Sequence, residues 1–303
     1  MAPAFRSRPF TSMAQTFISL NDGNKAPWLG FGTGTALFGK DAAESVSTAI
    51  QTGIRHLDGA QAYVNEDSLG KGIKASGIPR SELYVVTKLR ETVPAGTTPK
   101  SALQESLKKL GLDYVDLYLI HSPFKAAQEG KLKEWWASME ETKNEGLAKS
   151  IGVSNFYVDH LKTILEDAKI VPAANQIELH PYILKAAQPT LDFCKERDIV
   201  IESYGGLTPV ARVPGGPVDP VITAIAERLS KETGTVVNSG QVLSKWLLQK
   251  GIIVITTSSK VSRIQEALAV SSLPDLTVEE IKSIENEGSK LHKRIFMKHV
   301  FNE

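Results

Sequence analysis

The chain lacks the marks of a disulfide scaffold, a metal centre or a membrane protein. Its single cysteine, Cys194, excludes an internal disulfide and points to a reducing compartment. No Cys/His cluster has zinc spacing, so no metal is expected. The longest purely apolar stretches, such as Ile252 to Ile255, are strand-sized, far below the roughly 20 residues that span a bilayer. Net charge is nearly absent: 35 Lys and Arg against 34 Asp and Glu leave +1, which implies no general grip on nucleic acid or anionic membrane. The N-terminus carries Arg6 and Arg8 and no acid before Asp22. That pattern faintly resembles a transit peptide but has no apolar secretory core. Residues 1–15 are expected to be a flexible tail, and the protein to be cytoplasmic.

What is present is an ordinary globular composition, 42% hydrophobic and 23% charged over 303 residues, enough for a large core. β-like runs alternate with helical periodicity along the whole length. The expected strands are Leu29 to Thr33, His56 to Asp58, Leu83 to Lys88, Tyr114 to Ile120, Lys149 to Ser154, Asn175 to Leu179, Ile199 to Tyr204 and Ile252 to Ile255. Helices are expected near Leu132 to Glu145, Val158 to Ala168, Pro189 to Arg197, Val221 to Lys231 and Ser239 to Gln249. No linker divides two domains, so residues 16–303 read as one α/β domain, a (β/α)8 TIM barrel. An open doubly wound sheet would usually carry G-x-G-x-x-G after an early strand, and Gly30, Gly32 and Gly34 do not fit that spacing. Phe17 to Pro27, with Asn21-Asp22-Gly23 between two short runs, reads as a hairpin plugging the barrel's bottom.

In such a barrel the chemistry sits where strands end. Asp58, Tyr63, Lys88 and His121 all fall at or just beyond the ends of the second, third and fourth expected strands. Singly, each has a bland explanation, a helix cap for the Asp or a packed structural His. Together they suit protonation of a carbonyl oxygen during hydride transfer. A phenol titrates near about 10, and an adjacent ammonium favours its ionised form and lowers that value. Lys88 supplies the charge, Asp58 holds Lys88, and His121 can donate to the developing oxyanion. A Schiff-base role for Lys88 on a phosphate-binding barrel is the rival chemistry, but it leaves Tyr63, Gln176 and Tyr204 without a joint purpose.

The chain resembles the aldo-keto reductases over almost its whole length. The resemblance is carried by Gly30-Phe31-Gly32-Thr33, Leu57-Asp58-Gly59-Ala60 with Tyr63, Thr87-Lys88, Ile120-His121-Ser122-Pro123, Gly152-Val153-Ser154-Asn155-Phe156 and Asn175-Gln176-Ile177-Glu178-Leu179-His180-Pro181. It implies an NADPH-dependent reductase of aldehydes or ketones, acting as a monomer, with Asp58, Tyr63, Lys88 and His121 as its catalytic tetrad. It also implies that Ser154, Asn155 and Gln176 hold the nicotinamide carboxamide, that Tyr204 stacks on the ring and that Thr33 lies beside it. The alternative for Ser154-Asn155 is a cap for the helix near Val158, and for Tyr204 plain packing at the barrel rim. Gly205, Gly206 and Leu207 stand where the family commonly has Ser-Pro-Leu, with Gly205 and Leu207 at cofactor-contact positions. Ser258, Ser259, Lys260 and Arg263 match a 2′-phosphate and adenine site, and Glu266 a contact to the adenine amino group. Thr256-Thr257-Ser258 replaces the more usual Pro-Lys-Ser, a version most like a fungal subgroup that includes conjugated polyketone reductases and ketopantoyl-lactone reductase. A barrel that binds cofactor but serves a regulatory or structural part is the alternative, and the four filled tetrad positions argue against it.

For the substrate, Trp28, Phe124, Phe296, Met297 and Phe301 are expected around the mouth, with Arg90 as a cation near the entrance. Gly34 stands where many members have a bulky aromatic and is expected to leave space. That favours compact activated carbonyls such as α-dicarbonyls or ketolactones, with Gly34→Trp penalising the larger cyclic ones.

Overall fold

In the computed structural model, which describes residues 16–298, two short antiparallel strands precede the barrel: β1 (Phe17–Ser19) and β2 (Lys25–Pro27). Eight parallel strands then close on themselves: β3 (Leu29–Gly32), β4 (His56–Asp58), β5 (Tyr84–Leu89), β6 (Val115–Ile120), β7 (Ala148–Ser154), β8 (Ala174–Glu178), β9 (Val200–Tyr204) and β10 (Ile253–Thr256). Closure is made by β10 pairing with both β9 and β3. The expected (β/α)8 architecture and its hairpin are therefore observed, with no strand end shifted by more than one residue.

The strands are apolar runs because both faces are covered. On β5, Val85 joins the large outer core between strands and helices, which includes Tyr118, Trp136 and Trp246, while Val86 joins a smaller inner cluster with Leu117, Leu119 and Ile253. Leu20 and Ala26 of the hairpin belong to that inner cluster. The hairpin is pinned at the N-terminal ends of the strands: Asn24 Nδ2 donates to Lys149 O at 3.2 Å and Ser150 Oγ at 3.0 Å, and Asn21 Nδ2 donates to Pro172 O at 2.9 Å. The bottom is thus closed and the opposite end left open.

One helix begins earlier than its sequence signal. Pro189 marks an expected start, yet the helix runs Leu184–Lys195 with Pro189 inside it. The proline leaves the carbonyl of exposed Lys185 without its helical partner, and water can take its place on that face. The short helices Phe124–Gln128 and Thr208–Ala211 give no periodic signal because neither is long enough to repeat.

Candidate active site

At the open end, Lys88 is the hub of a buried cluster. Its Nζ donates to Asp58 Oδ1 at 2.6 Å, to the Gly59 carbonyl at 2.9 Å and to Tyr63 Oη at 3.4 Å. Lys88 is 0% and Asp58 2% exposed, so water does not compete for these bonds. Tyr63 ends the short 3-10 turn Gln61–Tyr63, which is pinned by Gln61 Nε2 donating to Ala102 O at 2.9 Å and by Arg90 N donating to Gln61 Oε1 at 3.1 Å. The His121 ring meets Tyr63 edge-on, with centroids 5.4 Å apart. Tyr63 and His121 both line a cavity of about 390 Å³ at the mouth. The Tyr63 hydroxyl accepts from Lys88 and donates to no described residue, so its proton is free for whatever enters.

Burial sets the protonation states here. It pushes the Tyr63 phenol above its usual value, the pull of Lys88 being too weak to reverse it. The expectation that Lys88 draws the phenol toward neutrality is corrected accordingly: Tyr63 stays protonated across the physiological range. Burial also works against the charge on Lys88, but Asp58 and Tyr63 more than offset it, and the amine is held above its usual value. An amine so held is a poor Schiff-base nucleophile. His121 is pushed down to about 3 by burial and by the Lys88 charge, leaving a neutral imidazole that can donate a hydrogen bond.

Beside this cluster lies a set of amides. Gln176 on β8 reaches Asp58, four strands around the barrel, with Nε2 donating to Oδ2 at 2.8 Å, so both side chains point inward. The same nitrogen donates to Glu202 Oε2 at 2.7 Å. Asn155, in the left-handed region at φ 61°, gives its Nδ2 protons to the His121 carbonyl at 2.9 Å and Ser154 Oγ at 3.1 Å, and its Oδ1 accepts from the Tyr204 hydroxyl at 2.7 Å. Ser154 Oγ donates to Gln176 O at 2.8 Å. Neither Ser154 nor Asn155 caps the following helix, which starts at Val158 with Tyr157 as its N-cap. Among these amides, Gln176 Oε1 alone has no partner in the described residues, and Gln176 lines the cavity.

The family model for the aldo/keto reductase family matches residues 29–287. The chain belongs to that family. It is 39% identical over 286 residues to the NAD/NADP-dependent indole-3-acetaldehyde reductase of Schizosaccharomyces pombe, covering 92% of this chain and 97% of that one. It is 35% identical to the NADPH-dependent alpha-keto amide reductase of Saccharomyces cerevisiae, covering 91% and 92%. Among solved structures, a Bombyx mori aldo-keto reductase in complex with NADP superposes with a TM-score of 0.82 at 32% identity, covering 96% of this chain and 98% of that one. Aldo/keto reductases reduce carbonyl compounds with NADPH. The differing activities of these relatives single out no subgroup, the ketopantoyl-lactone and polyketone reductases included.

In this aldo/keto reductase the mouth departs from expectation in several places. Trp28 precedes β3 and is 3% exposed in the outer core, at the plugged end, so it cannot border the mouth. Gly34 does line the cavity, but it leaves no space: a Cβ built there lies 2.5 Å from Tyr63 Cζ, because the phenol ring occupies the room. Arg90 is exposed and off the cavity wall, where Arg212 stands instead, its guanidinium 5.1 Å from the Phe296 ring. Phe124 packs edge-on against His160 at 5.5 Å rather than on the cavity, and Thr33 is buried with its hydroxyl donating to Asp58 O at 3.2 Å. Phe301 lies outside the described residues. Phe296, Met297, Tyr204, Gly205 and Leu207 all line the cavity. Gly205 has φ 69°, and a Cβ there would stand 3.2 Å from Phe296.

Three contributors carry weaker sequence signals. Phe38, 54% exposed, lines the cavity with its ring tilted against Tyr63 at 6.3 Å. Glu178 anchors the C-terminal segment by accepting from Ile295 N at 2.8 Å and Phe296 N at 3.1 Å. Glu202 is 0% exposed and pushed up to about 7 by burial and the Asp58 charge. Its position two residues before Tyr204 on one strand places it inside the barrel, which is a readable signal. Farther along, Lys260 and Arg263 are exposed at the start of the helix Val261–Ala269 and form no ion pair among the described residues. Glu266 accepts from Asn238 Nδ2 at 3.0 Å, and Lys260 N donates to Ser258 Oγ at 3.0 Å.

Proposed function

We propose that this protein is an NADPH-dependent carbonyl reductase in which Tyr63 protonates the substrate oxygen. The observation that carries this reading is the Tyr63 hydroxyl, fed from behind by Lys88 and leaving its own proton free at the mouth. The residues present fit the cofactor. Gln176 Oε1, without a partner among the described residues, can accept from a carboxamide N–H, Tyr204 offers an aromatic face, and Lys260 and Arg263, in no ion pair among the described residues, suit a 2′-phosphate with Ser258 and Ser259 beside them. Glu266 and Arg263 would take the adenine.

When bound, NADPH supplies a hydride to the carbonyl carbon. His121 donates from its neutral imidazole to the carbonyl oxygen and orients it. As charge grows on that oxygen, Tyr63 transfers its proton, and the Lys88 ammonium stabilises the phenolate left behind while Asp58 keeps Lys88 charged and in place. The product is the alcohol.

For substrate, the reading favours compact activated carbonyls, α-dicarbonyls or ketolactones. An electron-poor carbon accepts hydride more readily, and Arg212 offers a donor that a second oxygen can use and a plain aldehyde cannot. Apolar Phe38, Leu207, Phe296 and Met297 limit the space. The similarity to an alpha-keto amide reductase supports the same class. The test is a panel of aliphatic aldehydes, α-dicarbonyls and ketolactones assayed with NADPH and NADH. Activated carbonyls should lead in kcat/KM, with NADPH the better donor. Absence of turnover across the panel would favour a cofactor-binding barrel without catalysis.

A further inference from the structure

Glu202 takes no part in the proton transfer just described, yet it is fully buried beside the residues that do. Its Oε2 accepts from Gln176 Nε2 at 2.7 Å, and its Oε1 has no partner among the described residues. The second proton of that nitrogen goes to Asp58 Oδ2 at 2.8 Å. An amide nitrogen carries two protons, and both are taken by carboxylate oxygens, which offer no donor when ionised. Turning the amide over would set its oxygen against two carboxylates. The nitrogen therefore faces inward, and Oε1 is left for the cavity that Gln176 lines. Neutral Glu202 keeps this arrangement, because its proton can sit on the unpartnered Oε1 while Oε2 still accepts.

We propose that Glu202 is a positioning residue that, with Asp58, clamps the Gln176 amide at two points and so presents an acceptor, rather than a donor, to the carboxamide of the nicotinamide. The inference rests on the NADPH reading above. Its consequence is selectivity for a ligand with N–H groups at that position. With Glu202 replaced by an apolar side chain, the amide is held at Asp58 alone. Its plane can then swing, and the released N–H turns to the cavity for a partner.

The test compares binding of NADP+ with that of its 3-acetylpyridine analogue, whose acetyl oxygen accepts but which has no N–H, by calorimetry without substrate. Wild type should bind NADP+ about threefold to tenfold more tightly, the span of one neutral hydrogen bond. Glu202→Leu should bring that ratio close to one, and Glu202→Gln, which retains an acceptor oxygen at similar volume, should restore it. A general loss of packing would weaken both ligands together and leave the ratio unchanged, and an unchanged ratio in Glu202→Leu overturns the proposal. Failure of wild type to bind NADP+ overturns the cofactor reading and this inference with it. A second measurement needs neither the Glu202 variants nor cofactor. In 15N-labelled wild type the two Gln176 side-chain amide protons, assigned by their loss in Gln176→Met, should both be protected from solvent exchange. One proton exchanging at the rate of a free amide overturns the clamp.

Discussion

Two regions of the mouth hold their cations in opposite ways. Around Lys88 the charge is buried, and the ammonium donates to Asp58, Gly59 and Tyr63 at once. In the segment after β10, Lys260 and Arg263 stand in solvent with no ion pair among the described residues. A buried, fully bonded cation fixes the position of its neighbour and tolerates little change. An exposed one attracts a ligand through a screened field, so nearby positions can stand in for one another. The sequence shows the same contrast: Asp58, Tyr63, Lys88 and His121 all stand in motifs that resemble the family's, while Thr256-Thr257-Ser258 departs from the version the family more often has.

The largest effect should come from the buried region. Tyr63→Phe removes the transferable proton and should lower kcat by at least about 10²-fold while NADPH affinity, read by fluorescence titration, stays close to wild type. Near-normal turnover would take the tyrosine out of the mechanism and erase the contrast. Next comes Gly34→Ala. The new methyl meets the phenol ring, which must give way, and a misplacement of about 1 Å costs roughly 10²-fold. The loss should fall on every substrate of the panel alike, and a loss confined to bulky ones would return Gly34 to the part of a specificity pocket.

The exposed region should respond more mildly. Lys260→Ala or Arg263→Ala should weaken NADPH by about tenfold or more, one charge-assisted contact of roughly 1.5 to 3 kcal/mol, and leave NADH almost untouched. Raising the salt should shrink the difference. Equal weakening of both cofactors would show that these cations do not read the 2′-phosphate. The smallest expected effect is that of pH on reduction. Tyr63 lies above its usual value and His121 at about 3, so neither changes protonation between roughly pH 5 and 9, and kcat for reduction should be flat there. A falling limb near neutrality would show that Lys88 outweighs burial after all.

Much of the barrel was legible because each strand is a short apolar run bounded by helical periodicity, and because the chemistry of a barrel gathers at strand ends. That rule located Asp58, Lys88 and His121, and applied strictly it also excludes Trp28, which precedes its strand. The loops were harder to read. Gly34 looked like space only because the sequence does not say that the Tyr63 ring folds back over it. Arg90 and Arg212 are both loop cations, and only the path of each loop puts Arg212 on the wall. Charge inside a barrel was the missed signal for Glu202: it shares a strand face with Tyr204, so an inward carboxylate follows from strand period alone.

The wall formed by Phe296 and Met297 is built from chain that comes after all the barrel strands, and the buried carboxylate of Glu178 fastens its neighbouring backbone with two bonds. During synthesis the ring of strands can therefore shut, β10 against β3, before the piece that borders the cavity is in place. Part of the cavity wall is thus carried by a segment that is latched on rather than woven in. That segment can therefore change in sequence while the strands and the Lys88 cluster stay as they are.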